Sequence, residues 1–346
     1  WHPNPYIARE FYAPFGTFDI TIHIDRDYVV GAGAYLQNPE EIGYGYEEPG
    51  MEVNRPEGEK LSWHFMAYDV HDVMWAADPD YTHTTYRVPD GPLLRFFYQT
   101  DTVAENAPEG AQDDLIDRWE QLPELTSQGF QFMNENYGKY PHDEYIVIQG
   151  GDGGMEYSMG TLITGNRSLG SLVGVTVHEF IHAWYEGVIG NDETTDQWMD
   201  EGFTVYLSAL TMNELFNNGE GDPMVNRHQS YFRTVNAGIE EPMHIHSDHY
   251  ERNSAYSMAS YTKGAIFLHQ LGYIVGDNLL KSGLNRFYEE WKFKHPSDLD
   301  FIRTMENESD MVLDWYYEYW ITTTKTIDYG IASVETGESV GQTNVT

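Results

Sequence analysis

The sequence contains no cysteine in its 346 residues. This absence excludes a disulfide framework, an iron–sulfur cluster and a thiolate metal site, so any metal ion must be bound by histidine and carboxylate side chains. The chain also begins without an initiator methionine. Together the two absences favour an exported location (periplasmic, cell-surface or secreted) over a cytoplasmic one.

Basic residues are scarce as well. The chain has 19 Lys and Arg against 56 Asp and Glu, which gives a formal net charge of −37 and an isoelectric point near 4.4. Because so few cations could neutralise a row of phosphates, the composition excludes nucleic acid as a partner and disfavours anionic membrane surfaces. No apolar run is long enough to span a membrane, so we expect no membrane insertion. The oligomeric state stays open.

Hydrophobic patterns divide the chain into three regions and predict an α+β fold. Apolar residues make up 40% of the chain, which is enough for a sizeable core. Period-two alternation predicts antiparallel strands at residues 18–24 and 61–67, and residues 28–36 and 93–100 are further strand candidates between loop-like stretches. After these strands we predict a helix with a kink or restart at Pro123, a short strand at 144–150 and almost only helices over 171–321. Ser297 and Asp300 predict a capping box at the start of one of these helices. The predicted regions are 1–101 (β), 102–325 (mainly helical) and 326–346 (the start of a further β element).

One segment of the helical region has the pattern of a metal site. Residues 178–182 have the pattern His-Glu-x-x-His. On a helix, residues i and i+4 share one face, so the imidazoles of His178 and His182 point to one place. Two Zn–N bonds of about 2.0–2.1 Å fit that gap. Glu179, beside the first histidine, can reach a water at the metal rather than the metal itself. The alternative is a chance pairing of two of the chain's 14 histidines on a half-buried helix.

A third ligand is expected from a second helix. Eighteen residues separate His182 from Glu201, which lies within Trp-Met-Asp-Glu-Gly-Phe. We predict that this segment opens a helix and that Glu201 lies in its first turn, where the helix dipole favours a carboxylate. The preference of helix N-termini for acidic residues could by itself account for Glu201, since the chain has 56 acidic residues. The spacing from His182 and the Trp198–Gly202 context nevertheless favour a metal ligand.

These motifs together resemble the aminopeptidase N family of zinc metallopeptidases, which are gluzincins. Residues 153–157, Gly-Gly-Met-Glu-Tyr, are similar to the family's Gly-x-Met-Glu-Asn motif, and residues 261–265, Tyr-Thr-Lys-Gly-Ala, to its Tyr-x-Lys-Gly-Ala segment. The resemblance covers roughly residues 15–325. It implies the end of an antiparallel β domain (1–101) followed by a thermolysin-like, mainly helical zinc-peptidase catalytic domain (102–325).

The resemblance also implies a role for each motif residue. The chain would be a zinc-dependent aminopeptidase that removes N-terminal residues from peptides with a free N-terminus. One Zn²⁺ per chain would be bound, Glu179 would be the general base, Tyr261 would donate to the oxyanion and Glu156 would bind the substrate's α-amine. The implied metal ligands are His178, His182 and Glu201. The remaining implied substrate-binding residues are Gly153, Gly154 and Met155.

Three departures from the family pattern leave alternatives open. Tyr157 replaces the usual Asn, and Ser208 stands where many members place an acidic partner for a metal-binding histidine, so either zinc affinity or histidine basicity is weaker or another carboxylate substitutes. The family's long C-terminal helical region and most of its N-terminal β domain are not seen, which suggests an internal or processed piece. The alternatives are a thermolysin-like zinc endopeptidase and a catalytically weak fragment or scaffold. Neither the preferred substrate side chain nor the reason for the acidity is readable.

Overall fold

The computed structural model describes residues 12–100 and 110–325, together with the backbone of two short strands near the end of the chain. The predicted α+β class is confirmed, since strands dominate the first part and helices the second. The strands are β1 (Gly16–Asp25), β2 (Val29–Ala32), β3 (Tyr35–Leu36), β4 (Lys60–Val70), β5 (Trp75–Asp78), β6 (Thr82–Arg87), β7 (Leu93–Tyr98), β8 (Glu144–Gln149), β9 (Met155–Tyr157), β10 (Gly160–Ile163), β11 (Val334–Thr336) and β12 (Thr343–Val345).

The β strands at the start of the chain form small antiparallel sheets, as predicted. β1, β4 and β3 pair in the order β1-β4-β3, and β2 pairs with β5. Along β4, Trp63, Phe65 and Ala67 are fully buried while their neighbours are less so, which is the alternation expected of a strand with one face on the core.

A five-stranded sheet underlies the helices and carries one of the sequence motifs. Its order is β6-β7-β8-β10-β9, with β8 parallel to both β7 and β10, and with β9 antiparallel at the edge. Strands from both sides of residue 101 therefore share this sheet. The boundary at 101–102 stays a prediction, and residues 101–109 lie outside the described part of the chain.

The helical region follows the predicted pattern with one difference at Pro123. The helices are α1 (Pro39–Ile42), α2 (Ala111–Asn136), α3 (Leu169–Tyr185), α4 (Glu193–Asn217), α5 (Val225–Asn236), α6 (Asn253–Ser257), α7 (Gly264–Val275), α8 (Asp277–Trp291), α9 (Asp298–Ser309) and α10 (Asp314–Tyr317), with short 3₁₀ and π segments between them. Pro123 lies inside α2, which does not restart there. The Ser297–Asp300 capping box is present at the start of α9. β11 and β12 pair as antiparallel strands within the predicted final β element.

The core positions α3 between the sheet and the other helices. Val173, Val177, Phe180 and Ile181 on α3 are fully buried in the larger of two apolar clusters. Phe180 contacts Phe130 of α2, with ring centroids 4.5 Å apart. Buried apolar packing on these sides leaves the histidine-bearing face of α3 turned toward α4.

Candidate active site

Two helices bring the three predicted ligands together. His178 and His182 lie on α3 and Glu201 lies on α4. The Nε2 atoms of His178 and His182 are 3.3 Å apart, and Glu201 Oε2 lies 3.3 Å from the first and 3.5 Å from the second. The side chains of His182 and Glu201 are almost fully buried, while that of His178 is 23% exposed. The group is therefore closed on the protein side and open on one side.

The donor atoms fit a tetrahedral zinc ion. With bonds of about 2.05 Å, two ligands of a tetrahedral zinc ion stand about 3.3 Å apart, which is close to the three separations found here. Glu201 Oε2 is buried but has no hydrogen bond of good geometry among the described residues. A buried carboxylate oxygen that lies near two imidazole nitrogens without such a bond is typical of a metal ligand.

Asp200 supplies the acidic partner that the sequence did not locate. Its carboxylate accepts a hydrogen bond from Nδ1 of His182, and both side chains are fully buried. A proton held at Nδ1 leaves the Nε2 lone pair free for a metal ion. Ser208 makes no such contact, and its hydroxyl lies buried without a partner among the described residues. Asp200 is thus the acidic partner of one of the two metal-binding histidines, His182.

The predicted position of Glu201 in a first helical turn is wrong. α4 begins at Glu193, where the N-cap residue Asp192 accepts a hydrogen bond from the backbone of Thr194. The helix is interrupted at Asp196, whose φ of −119° and ψ of 35° are not helical. Glu201 is the fifth residue after this break, just beyond the first turn of the helical segment that follows it.

Two glycines let the ligand helix approach the segment that carries Tyr261. A Cβ on Gly202 would lie 2.7 Å from the Cα of Gly264, and the reverse distance is 2.8 Å. Tyr261 lies in a short π-helix (Met258–Lys263) that precedes α7, a departure from α-helix that is frequent at functional sites. Its hydroxyl lies close enough to Glu201 for the carboxylate to raise the pKa of the phenol, and its ring stacks on His178 with centroids 6.2 Å apart. Close helix crossing thus brings Tyr261 to the metal site.

The second motif residue of the segment, Lys263, has a structural contact. Its ammonium group forms a buried ion pair with Glu240 at 2.7 Å. Burial lowers the pKa of Lys263, and Glu240 opposes that shift. The pair anchors the π-helix next to α5, with which it packs.

Glu156 lies on the edge strand β9 and reaches the same site. An oxygen of its carboxylate lies within 4.8 Å of donor atoms of His182, Asp200 and Glu201. The residue is 6% exposed. Because β9 pairs only with β10 in the described sheet, its other edge is available to an added strand.

The two glycines before Met155 differ in their surroundings. A Cβ on Gly154 would overlap the Glu179 carboxylate and lie 2.8 Å from Val175 Cγ2, whereas the nearest atom to a Cβ on Gly153 is Arg167 Nη2 at 4.0 Å. Arg167 also donates to the Gly153 carbonyl oxygen. Gly154 therefore makes room for the predicted general base, a requirement that the sequence did not reveal, and the space beside Gly153 is open.

The carboxyl groups of the site affect one another's ionisation. Burial raises the pKa of Glu179 well above its usual range, and the charge of the nearby Glu156 adds to this shift. Burial also raises the pKa of Glu156 to about 7. Burial raises the pKa of Tyr261 too, and Glu201 adds to that shift, so the phenol stays protonated and can donate. The site thus combines the carboxyl groups of Glu179 and Glu156 with the neutral phenol of Tyr261, which can donate a hydrogen bond.

The structure brings together all the predicted metal, base, oxyanion and amine-binding residues. Met155 begins β9, and its carbonyl oxygen accepts a hydrogen bond from Thr161. Sequence reasoning missed Asp200 as the histidine partner, although it directly precedes Glu201 and is the acidic residue nearest to it in sequence.

This fold and site define a metallopeptidase of the gluzincin class, with two histidines on one helix and a glutamate on the next. The chain belongs to peptidase family M1, whose domain profile matches residues 124–320.

Relatives and solved structures agree with this assignment. The human glutamyl aminopeptidase is 23% identical over 301 residues, which cover 77% of this chain and 30% of that protein. A probable aminopeptidase 1 of Sulfurisphaera tokodaii is 24% identical over 159 residues, or 44% of this chain and 20% of that protein. The crystal structure of an M1 zinc metallopeptidase from Deinococcus radiodurans superposes with a TM-score of 0.66 at 15% identity, covering 90% of this chain and 64% of that one. This chain thus spans less than a third of these two curated relatives. Among the described helices, none has the length and apolar character needed to cross a membrane.

Proposed function

We propose that the chain is the catalytic part of a zinc-dependent aminopeptidase that acts on peptides with a free N-terminus. The donor set of His178, His182 and Glu201 fits one Zn²⁺. When bound there, Zn²⁺ would polarise the substrate carbonyl and lower the pKa of water at the fourth position. The protein's own residues would do the remaining work.

Glu179 moves the proton. Its carboxylate accepts a proton from the attacking water and later delivers it to the leaving amine. Gly154 makes room for the base, because a Cβ at this position would overlap the Glu179 carboxylate.

Tyr261 and the edge of β9 act on the substrate. The Tyr261 hydroxyl donates to the oxyanion that develops on the substrate carbonyl. The substrate backbone lies along the free edge of β9, beside the open space at Gly153. These contacts orient the first peptide bond between base and donor.

The observation that carries the aminopeptidase proposal is the position of Glu156. Its buried carboxylate lies within 4.8 Å of donor atoms of His182 and Glu201. An ammonium group paired with it stands close to the metal position, so that the first peptide bond reaches the reacting groups. A polypeptide that continued past this point would meet the carboxylate, which disfavours the endopeptidase alternative.

The test compares Glu156→Ala and Glu156→Gln with wild type on peptides that share one scissile bond but have a free or an acetylated amine. A charge-assisted bond of about 1.5–3 kcal/mol predicts a fall in kcat/KM of about ten- to a hundredfold or more for free-amine substrates. Acetylated peptides should be poor substrates for the wild type and for both variants.

Two results would contradict the proposal. If acetylated peptides are cut at internal bonds as fast as free ones and the variants change neither rate, the chain is an endopeptidase. If zinc-loaded wild type turns over neither kind of peptide, the scaffold alternative replaces it. Glu156→Gln retains the size of the side chain, so a loss shared by both variants reports the charge and not the cavity.

A further inference from the structure

A second buried cluster joins the β strands to the end of α3. His71 and Asp72 lie in the turn between β4 and β5, and Glu186 is the C-cap residue of α3. His71 Nε2 lies 2.9 Å from Glu186 Oε1 and 3.0 Å from the Glu186 carbonyl oxygen. The side chains of His71 and Glu186 are only 3% and 2% exposed.

Two polar atoms of this cluster have no partner. In the part of the chain that the structure describes, no hydrogen bond reaches His71 Nδ1 or Glu186 Oε2. The candidate active site shows the same feature at Glu179, Asp200 and Glu201. Buried polar atoms are nearly always paired, so a concentration of unpaired ones marks a place where a bound species belongs.

The cluster holds two carboxylates and one imidazole. Glu186 ends a helix at its C-terminus, where the helix dipole disfavours a carboxylate. Burial raises the pKa of Asp72 to about 6, and Glu186 adds to that shift. Although burial opposes the charged form of His71, attraction to Glu186 raises its pKa to about 9. A protonated His71 offsets only one of the two carboxylates, whereas a divalent ion with a neutral imidazole offsets both.

We propose that His71, Asp72 and Glu186 bind a second divalent cation, of the class that imidazole and carboxylate ligands share, such as Zn²⁺. One donor atom from each side chain lies within 4.8 Å of the others. An ion with bonds of about 2.1 Å holds its ligand atoms about 3–4.2 Å apart, so binding requires only a small contraction.

The ion would connect three parts of the fold. Asp72 Oδ1 accepts the backbone N–H of Ser158 at 3.0 Å, and Ser158 follows the β9 strand that carries Glu156. Glu186 lies four residues after His182. A cation here links the β4–β5 turn to the end of α3 and to β9. The proposal does not depend on the chain being an aminopeptidase.

The chain contains a matched comparison. Asp196, His244 and Asp298 also place one imidazole and two carboxylates within 4.8 Å. There His244 Nδ1 lies 2.9 Å from Asp196 and 3.0 Å from Asp298, and Tyr317 also donates to Asp298. Among the described residues, neither aspartate has a buried oxygen without a partner. The two clusters therefore share composition and differ in the unpaired atoms.

The experiment counts Zn²⁺ ions per chain. The purified chain is stripped with a chelator, dialysed against Zn²⁺ at high salt to suppress weak surface binding, and analysed by mass spectrometry of its metal content. We expect two ions in wild type, one in His71→Gln, one in Asp72→Asn, one in His178→Gln and two in His244→Gln. Circular dichroism verifies that each variant is folded.

Two results would overturn the proposal. A wild type that saturates at a single ion, which His178→Gln removes and His71→Gln does not, rules out the second site. Two ions retained in folded His71→Gln and Asp72→Asn place the second ion elsewhere, as does an ion lost in His244→Gln. Failure of the proposed zinc site on α3 and α4 gives a different result, because His178→Gln would then leave the count unchanged.

Discussion

Replacing Gly154 by alanine should displace the catalytic base, Glu179, although Glu179 itself is not mutated. A Cβ at this position overlaps the Glu179 carboxylate and approaches Val175 Cγ2 to 2.8 Å. The backbone at Gly154 does not have a positive φ, so alanine introduces no backbone strain there. The effect therefore comes from the added methyl group alone.

The structure allows the size of the effect to be worked out. Adding a methyl group to a packed site costs about 1–3 kcal/mol, which is relieved if Glu179 or β9 moves by about an ångström. Misplacing a catalytic group by about 1 Å lowers the rate about a hundredfold. The upper limit is loss of the whole base contribution, on the order of 10²–10⁴. We therefore expect kcat to fall at least about a hundredfold.

The assay is steady-state hydrolysis of an aminoacyl amide by the zinc-loaded chain, with Gly153→Ala as the matched control. The two substitutions are chemically identical and one residue apart, but a Cβ on Gly153 meets nothing closer than Arg167 Nη2 at 4.0 Å. Gly153→Ala should keep kcat, and any effect of it on substrate approach should appear in KM. Zinc content should stay at the wild-type level in both variants.

Wild-type kcat in Gly154→Ala would refute this reasoning. It would mean that Glu179 has free room beside β9 or that another group accepts the proton. An equal loss of kcat in both variants would refute it too, because the two glycines would then share a role that their surroundings do not predict.

Three further substitutions test single residues of the site. Glu179→Gln should keep zinc and fold but lower kcat on the order of 10²–10⁴, because glutamine cannot accept the proton, and substantial activity would place the base elsewhere. Tyr261→Phe should lower kcat on the order of 10²–10³ with little change in KM, whereas a change in KM alone would mark a ground-state contact. Asp200→Ala should weaken zinc binding about 10–100-fold in competition with a chelator, while Ser208→Ala should not, and equal affinities in the two variants would contradict the role assigned to Asp200.

Local patterns were enough for much of the fold and the centre of the site. The alternation along β4 predicted a strand because successive side chains of a strand point to opposite faces, whatever lies around it. The His178–His182 spacing predicted a shared face because helix geometry is a property of the backbone. The capping box at Ser297 and Asp300 is local in the same way.

Family resemblance extended the prediction to contacts between distant segments. Glu201, Glu156 and Tyr261 lie at one site because a packed fold brings α4, β9 and the π-helix to α3. No periodicity predicts such contacts, since they depend on which surfaces pack together. The first-turn position of Glu201 failed because that prediction took the motif as the start of the helix, which begins at Glu193.

Three features were decided by tertiary structure alone. Asp200 is the partner of His182, Gly154 makes room for Glu179, and Glu186 meets His71 from 115 residues away. In each case, the residue type is ordinary in sequence, and its role comes from a neighbour on another element. The amino-acid sequence by itself determined the periodic elements and the ligand-bearing helix, because their geometry repeats along the backbone. Only the packed chain decided which carboxylate faces which imidazole, because that depends on distances between segments far apart in sequence.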